Sequence, residues 1–344
     1  MISIVQYSRN DDHGGNLLKR MQFSYYTNIY LLEKAQIKSE IIMVDYNTPK
    51  EKDNLYKLLP VSENLKFVTI RHIIVPPEIH QTFKDYNKLP MNNMVARNIG
   101  IRRAKGEYIL STGVDVIFSY QLVKQFKNLL PNRLYRVHRY DVNRCILNEE
   151  FNVENILEKC EKNIIDIHFN TNLGKFESTD IPSLHTNNCG DFQLAHKDVW
   201  FNLNGYPEID LMGTHSDTIF SYMSYLSGNK EIVLDEKFFH IDHESRWLKP
   251  IYTHILRNWR MLYREFGYDV MKYKKKYYEL AKEISNDLKE EALLEKIDYE
   301  ILSIDKYKQI ILDMINKKRS LVYNEDSWGN KEYNFKEVVI GANG

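Results

Sequence analysis

The stretch 92–119 constrains the fold of this chain more than any other part of the sequence. Apolar residues recur at near-helical spacing over 94–101, and the pattern stops before Gly106, as at a helix C-terminus. The apolar run 108–110 is typical of a buried strand, and it leads into Asp115. Because ligands of open α/β sheets bind beyond the carboxyl ends of strands, we expect this carboxylate to meet a cation or a polar substrate. Aspartate is also favoured in turns, so a purely structural role stays open.

Strands and helices alternate through the first part of the chain, which predicts an α/β fold. The predicted strands are 2–7, 40–45, 66–75 and 133–140, and the further predicted helices are 16–36 and 121–130. No Gly-x-Gly-x-x-Gly and no Walker lysine loop follows the first strand, so the sequence disfavours a dinucleotide site and a P-loop.

Composition excludes several classes of protein. Lys+Arg and Asp+Glu are both 47 among 344 residues, so no global basic charge recruits nucleic acid. No apolar stretch is long enough to cross a membrane. The three cysteines are odd in number and lack metal-ligand spacing, which indicates a reducing, cytoplasmic location.

Three consecutive features carry a resemblance to a known family. They are an Arg-Asn-x-Gly helix at 97–100, a Gly-Glu-Tyr-Ile-Leu strand at 106–110 and the acidic turn at Asp115. Together they resemble the core of the GT-A glycosyltransferases (family 2-like), which transfer sugars from nucleotide-sugar donors. The order of elements matches over roughly residues 1–245. The resemblance implies a Rossmann-like mixed sheet flanked by helices.

The resemblance also implies a divalent metal, Mn²⁺ or Mg²⁺. The turn of this family usually reads Asp-x-Asp, whereas this chain has Gly-Val-Asp at 113–115, so Asp115 is the predicted ligand. His240, Asp242 and His243 lie within four residues of one another, and some family members add a late histidine to the metal. Strand alternation would place His240 and His243 on opposite faces, so we favour His243 and keep His240 as the alternative.

Donor-binding residues follow from the same resemblance. The ends of the first two strands would hold the nucleobase and ribose, at Tyr7, Ser8, Arg9 and Asp45. Asp45 also suits a turn before a proline. Arg97, on the helix that leads to the acidic turn, is placed to pair with a diphosphate, although helical arginines are often simply solvated.

A second match concerns the acceptor side. A Gly-Asp turn and a helix closed by Gly-Tyr-Pro at 205–207 resemble the family's acceptor and sugar pocket, which implicates Gly190 and Asp191. Asp217 begins the next predicted helix, where Ser216 is the expected N-cap. Inverting members of the family carry a carboxylate at this place, so Asp217 is the predicted base for the acceptor hydroxyl.

The remaining segments have weaker signals. No chemistry can be assigned to 141–182. We divide the chain into a GT-A domain at 1–249 and a C-terminal helical appendage and tail at 250–344. The basic runs 272–276 and 317–319 are interleaved with acids, so a solvated face is favoured over peripheral contact with a membrane.

The sequence thus favours a metal-dependent, inverting glycosyltransferase that acts on a glycan or lipid-linked acceptor in bacterial-type surface polysaccharide synthesis. Three alternatives stay open. A sugar nucleotidyltransferase shares the sheet but needs a basic, glycine-rich loop after the first strand. A metallohydrolase would need ligands beyond His240, Asp242 and His243. A non-catalytic, lectin-like module would fit the missing first acid of the turn.

Overall fold

The computed structural model describes residues 1–148, 150–168, 183–186, 188–211, 215–243, 302 and 304–341. The basic run 272–276 and the proposed domain boundary at 249/250 lie outside these residues. The division into two domains therefore stays a prediction.

One mixed sheet of ten strands forms the centre of the described residues. The strands are β1 (Ile2–Ser8), β2 (Ser39–Tyr46), β3 (Val68–Val75), β4 (Tyr108–Thr112), β5 (Val116–Phe118), β6 (Arg133–Val142), β7 (Ile164–His168), β8 (Phe192–His196), β9 (Lys230–Ile241) and β10 (Lys336–Gly341). Their spatial order is β10-β3-β2-β1-β4-β8-β6-β9-β5, with β7 beside β6. The strands β3, β2, β1 and β4 run parallel, whereas β8 and β10 are antiparallel to their neighbours β4 and β3. This confirms the predicted α/β class.

Helices cover both faces of the sheet. Those described are α1 (Leu17–Lys34), α2 (Leu55–Leu58), α3 (Pro77–His80), α4 (Asn93–Arg102), α5 (Tyr120–Gln125), α6 (Ile156–Lys162), α7 (Lys197–Asn202), α8 (Ser216–Leu226) and α9 (Ile304–Ile315). None of them combines the length and apolar character needed to cross a membrane.

Each face of the sheet has its own apolar core, because successive strand residues point to opposite sides. Ile41 of β2 belongs to the core that includes residues of α1 and α5, whereas the next residue, Ile42, belongs to the core that includes residues of α4, α7, α8 and α9. The continuous apolar run of β2 is therefore explained, since both of its faces are buried.

Residues near the C-terminal end pack on this core. The apolar face of α9 is buried against α8, and the ring of Tyr307 on that face lies 4.4 Å from the ring of His215. Trp328 is buried between the guanidinium of Arg102 and the ring of Phe201. Part of the predicted appendage thus contributes directly to the core.

The strand β10 extends the edge of the sheet beside β3. An ion pair ties the two strands together, with Arg71 bridging Glu40 and Glu337. Arg71 is 3% exposed, so both glutamates neutralise a buried cation.

Candidate active site

The parallel strands β1, β2 and β4 end at the same edge of the sheet. Ser8 pairs in register with Asp45, and Asp115 follows the end of β4 by three residues. The sheet topology therefore brings the predicted donor-binding and metal-binding segments to one edge.

The three predicted metal ligands come together. Asp115 precedes β5, which pairs with β9, so Asp115 faces the end of β9 that carries His240 and His243. The Nε2 atoms of His243 and His240 lie 3.4 and 3.8 Å from carboxylate oxygens of Asp115. Ligand atoms of all three lie within 4.8 Å of one another. Because β9 ends at Ile241, strand alternation does not extend to His243, and the expectation that the two histidines face apart is wrong.

One carboxylate and two imidazoles are ligands that Mn²⁺ and other first-row divalent transition metals accept, so these three side chains fit a divalent cation. Burial alone would raise the pKa of Asp115, but the cationic groups around it, His240 first, hold the pKa well below its ordinary value. The carboxylate is therefore ionised, as a metal ligand must be.

Asp141 orients His240. Its carboxylate lies 3.1 Å from Nδ1 of His240, which leaves Nε2 facing Asp115. The same carboxylate accepts from Nη2 of Arg139 (3.1 Å), forms an ion pair with Nε of that guanidinium (2.8 Å) and lies 2.9 Å from Nε2 of His168. Arg139 extends this network by donating from Nη1 to Asp191 at 2.5 Å. The segment 141–182, for which sequence analysis found no chemistry, therefore supplies the carboxylate that holds the candidate ligand His240 in place.

A second cluster of ligand-type side chains, Asp141, Asp166 and His168, lies behind the first. All three are buried. A carboxylate offers about four acceptor positions, and donors of Arg139, His168 and His240 already surround Asp141. Because its acceptor positions are taken, Asp141 is better placed to orient His240 of the first site than to bind a cation of its own.

Arg20 of α1 is a site residue that the sequence did not reveal. Its guanidinium forms an ion pair with Asp115, and Nε donates to the carbonyl of Gly15 at 3.2 Å. It also donates to the carbonyl of His13, so it ties the loop after β1 to the acidic turn. The one available signal was that Arg20 sits between Leu17 and Met21 on the apolar face of its helix.

Arg97 is buried at the floor of the site. It donates from Nη1 to Ser111 Oγ (2.8 Å) and to the carbonyl of Gly190 (2.5 Å), and from Nη2 to Tyr7 Oη (3.2 Å). Burial opposes its charge, but Tyr7 and other neighbours outweigh burial and raise the pKa of Arg97 above its ordinary value. Arg97 is thus a fixed positive charge, and its pairing with a diphosphate stays a prediction.

Asp217 lies beside Arg97 on a separate element. It is in the first turn of α8, and Oδ1 accepts from the backbone N–H of Thr218 at 2.8 Å. The helix begins at Ser216 and its N-cap is His215, so the expected cap at Ser216 is wrong. A Cβ added to Gly190 would lie 2.7 Å from Oδ2 of Asp217 and 3.4 Å from Nη2 of Arg97. Glycine at 190 therefore lets these two charged groups approach the same loop.

Asp45, one of the residues predicted to bind the nucleoside, has a structural role in the loop after β2. Asp45 is buried and accepts from Thr48, from Asn54 Nδ2 (2.9 Å) and from the backbone N–H of Leu55 (2.8 Å). Burial raises the pKa of Asp45 despite these bonds. Its oxygens hold the loop after β2, and contact with a nucleoside stays a prediction.

The other predicted nucleoside residues surround the loop after β1. Tyr7 lies under the guanidinium of Arg97, with 4.6 Å between the charge and the ring centre. Ser8 is buried at the end of β1. Arg9 donates to the carbonyl of Pro90 at 3.5 Å. These positions border the same edge of the sheet as the cation site.

No protein-family model matches the sequence, and no curated protein matches it. Among solved structures, the chain is similar to S. aureus TarS (1–349) with UDP-GlcNAc, at 12% identity and a TM-score of 0.44, over 76% of this chain and 66% of that chain. It is also similar to the mannosyltransferase PcManGT from Pyrobaculum calidifontis with GDP-Man and Mn²⁺, at 14% identity and a TM-score of 0.40, over 89% and 69% of the two chains. The chain spans 60% of another TarS structure, at 12% identity and a TM-score of 0.42 over 70% of this chain. At these levels of similarity the function has to be inferred from the geometry of the site.

Proposed function

We propose that this chain is a metal-dependent, inverting glycosyltransferase of the GT-A type. It would transfer a sugar from a nucleoside-diphosphate donor to a glycan or lipid-linked acceptor. The observation that carries the proposal is that a candidate cation site and a separate carboxylate lie close to the same turn, 190–191. The candidate cation-binding triad of Asp115, His240 and His243 lies near Asp191, since a Cβ added to Gly113 would contact both Asp115 and Asp191, and Asp217 lies beside Gly190.

This arrangement matches the demands of a direct displacement at an anomeric carbon. The leaving diphosphate needs its charge neutralised, and the attacking hydroxyl needs a base on the opposite side. Asp115, His240 and His243 would hold a divalent cation, which would supply the neutralisation. Asp217, held by the backbone of Thr218, accepts the proton from the acceptor hydroxyl.

The proposed donor-binding residues lie at the ends of β1 and β2 and on α4. Tyr7, Ser8, Arg9 and Asp45 lie at or just beyond the ends of β1 and β2, where they would border the nucleoside, and Arg97, which donates to Tyr7, would pair with the diphosphate. Gly190 and Asp191 lie between the cation site and the base, where the transferred sugar would pass.

The acceptor is proposed to be a glycan or lipid-linked precursor of a bacterial-type surface polysaccharide. Of the two basic runs, 317–319 follows α9 and is exposed, as the favoured solvated face requires, and peripheral contact with a membrane surface is the alternative.

Calorimetric titration with UDP and GDP, each with and without Mn²⁺, tests the function. We expect one of the two nucleotides to bind more tightly when Mn²⁺ is present, because a cation held by Asp115, His240 and His243 would neutralise the charge of the diphosphate. A matched pair of variants, Asp115→Asn in the triad and Asp53→Asn on the exposed loop after β2, should respectively lose and keep this coupling.

Other outcomes would identify other functions. Binding of a nucleoside triphosphate with release of pyrophosphate would indicate a sugar nucleotidyltransferase. Binding of sugar without any nucleotide would indicate a lectin-like module. Absence of nucleotide binding at millimolar concentration would refute the proposal.

A further inference from the structure

Each of the four backbone carbonyls at residues 113–116 accepts a hydrogen bond from another segment of the chain. In order along the chain, the donors are Nε2 of Gln6 (2.8 Å), Oγ of Ser24, the backbone N–H of Ile241 (3.0 Å) and Nδ2 of Asn28 (2.7 Å). Three of these donors are side chains of residues that are at most 2% exposed. The backbone around Asp115 is therefore fixed by buried side chains as well as by the pairing of β5 with β9.

Asn28 takes the place of a neighbouring strand along β5, which ends the sheet in the part of the chain that the structure describes. The carbonyl of Asp115 and the N–H of Ser119 bond to the backbone of β9. Alternate residues of a strand direct these groups to opposite edges, so Val116 and Phe118 face away from β9. Asn28 donates to the carbonyl of Val116 and accepts at Oδ1 from the N–H of Phe118 (2.9 Å). One amide thus bonds both groups that a further strand would otherwise pair with.

Asn28 belongs to a row of three polar residues on α1. Arg20, Ser24 and Asn28 follow one another at intervals of four, so they lie on one face of the helix. The guanidinium of Arg20 pairs with the carboxylate of Asp115, whereas Ser24 and Asn28 bond the backbone on either side of it. Burial of polar side chains costs free energy that hydrogen bonds must offset, and all three of these side chains reach residues 114–118. This face of α1 is therefore built around the acidic turn.

We propose that Gln6, Ser24 and Asn28 are positioning residues of the cation site. They hold the backbone of the turn in place, so the carboxylate of Asp115 stays beside the two histidines of the triad before any cation arrives. A preorganised site binds its ligand more tightly, because binding does not have to order the turn. The inference rests on the proposed function only for the presence of a divalent cation.

The test measures Mn²⁺ binding in the absence of nucleotide and sugar, by titration calorimetry and by the electron paramagnetic resonance signal of unbound Mn²⁺. The variant is Asn28→Ala, which removes both bonds to β5. Asn98→Ala is the matched control, because Asn98 is likewise a buried helical asparagine whose amide bonds both backbone groups of Tyr206. Its described hydrogen bonds go to Tyr206 and Glu208 and not to residues 113–116.

We expect Asn28→Ala to weaken Mn²⁺ binding by roughly tenfold or more, and Asn98→Ala to lower the melting temperature without changing Mn²⁺ affinity. In the metal-free protein, amide hydrogen exchange at 114–118 should be faster in Asn28→Ala than in the parent, because the N–H of Phe118 loses its acceptor. Ser24→Ala removes one hydroxyl with little change in volume and should weaken Mn²⁺ binding to a smaller extent. It keeps the test decisive if Asn28→Ala fails to fold.

Parental Mn²⁺ affinity in Ser24→Ala, or in a folded Asn28→Ala, would overturn the inference, and so would an equal loss in Asn98→Ala. These results leave the proposed function standing if nucleotide and Mn²⁺ still bind cooperatively. Conversely, Mn²⁺ binding that depends on Asn28 but is not coupled to nucleotide would support this inference and refute the transferase.

Discussion

Replacing Asp141 with asparagine tests whether the buried network sets the affinity of the cation site. Asp141 does not belong to the triad, yet it holds Nδ1 of His240 at 3.1 Å and so directs Nε2 towards Asp115. An amide presents one oxygen and one N–H₂ group, so it cannot accept from Arg139, His168 and His240 together. Loss of such an orienting partner typically lowers metal affinity by about 10- to 100-fold.

The same change should lower stability. Removing one member of a buried ion pair costs about 3–5 kcal/mol, and the lower end is expected because Arg139 keeps Asp191 as a partner. Burial opposes the charge of Asp141, but Arg139 and the two histidines hold its pKa well below the ordinary value. The native state therefore depends on the ionised form, which asparagine cannot provide.

Mn²⁺ calorimetry and urea unfolding would be run side by side, with Asp166→Asn as the control. Asp166 is as buried as Asp141 and lies 3.8 Å from His168, but among the described contacts it does not reach His240. We expect Asp166→Asn to lower stability without changing Mn²⁺ affinity. Equal loss of affinity in both variants, or parental affinity in Asp141→Asn, would refute the orienting role.

Three further predictions concern other parts of the molecule. Asp217→Asn should lower the rate of sugar transfer by roughly 100-fold or more with nucleotide affinity nearly unchanged, and a variant that transfers at the parental rate would exclude Asp217 as the base. Burial lowers the pKa of His72 to about 4. The unfolded chain takes up this proton near pH 6.5, so stability should fall by about 1.4 kcal/mol per pH unit between pH 6.5 and 4. His72→Gln should remove that share of the slope in urea unfolding at pH 5 and 7, and an identical slope would contradict the assignment. Trp328→Ala should cost about 3–5 kcal/mol, because the ring fills the space between Arg102 and Phe201; a loss under about 1 kcal/mol would show that the tail adds little to the core.

Local patterns predicted most of the elements that build the site. The apolar runs of β1, β2 and β4 and the periodic helices α1 and α4 appear where the sequence placed them, with ends shifted by one to three residues. These elements have both a strong apolar period and clear end signals. The meeting of Asp115 with His240 and His243 was implied by the family resemblance, and the antiparallel pairing of β5 with β9 is what brings these residues together.

What the sequence could not show depends on contacts between distant segments. Arg20 and Asp115 are 95 residues apart, and an arginine within a helix is ordinarily a surface residue. Asp141 reaches His240 across 99 residues because β6 and β9 pair in parallel, which no local pattern encodes. The edge strand β10 was likewise missed, because its six residues are all partly or fully exposed and so lack the apolar alternation that distinguishes a strand from a loop.

The pairing of β10 with β3 has a consequence for how the chain folds during its synthesis. Arg71 and Glu337 are separated by 266 residues, so the edge of β3 has no partner strand on that side until residues 336–341 have left the ribosome. An unpaired edge is a template for pairing with other chains. We therefore expect the nascent protein to be most prone to aggregation between the emergence of β3 and that of β10, a period of many seconds at ordinary translation rates. Arg71 places a charge on β3, and charged residues on an edge strand commonly oppose its pairing with strands of other chains.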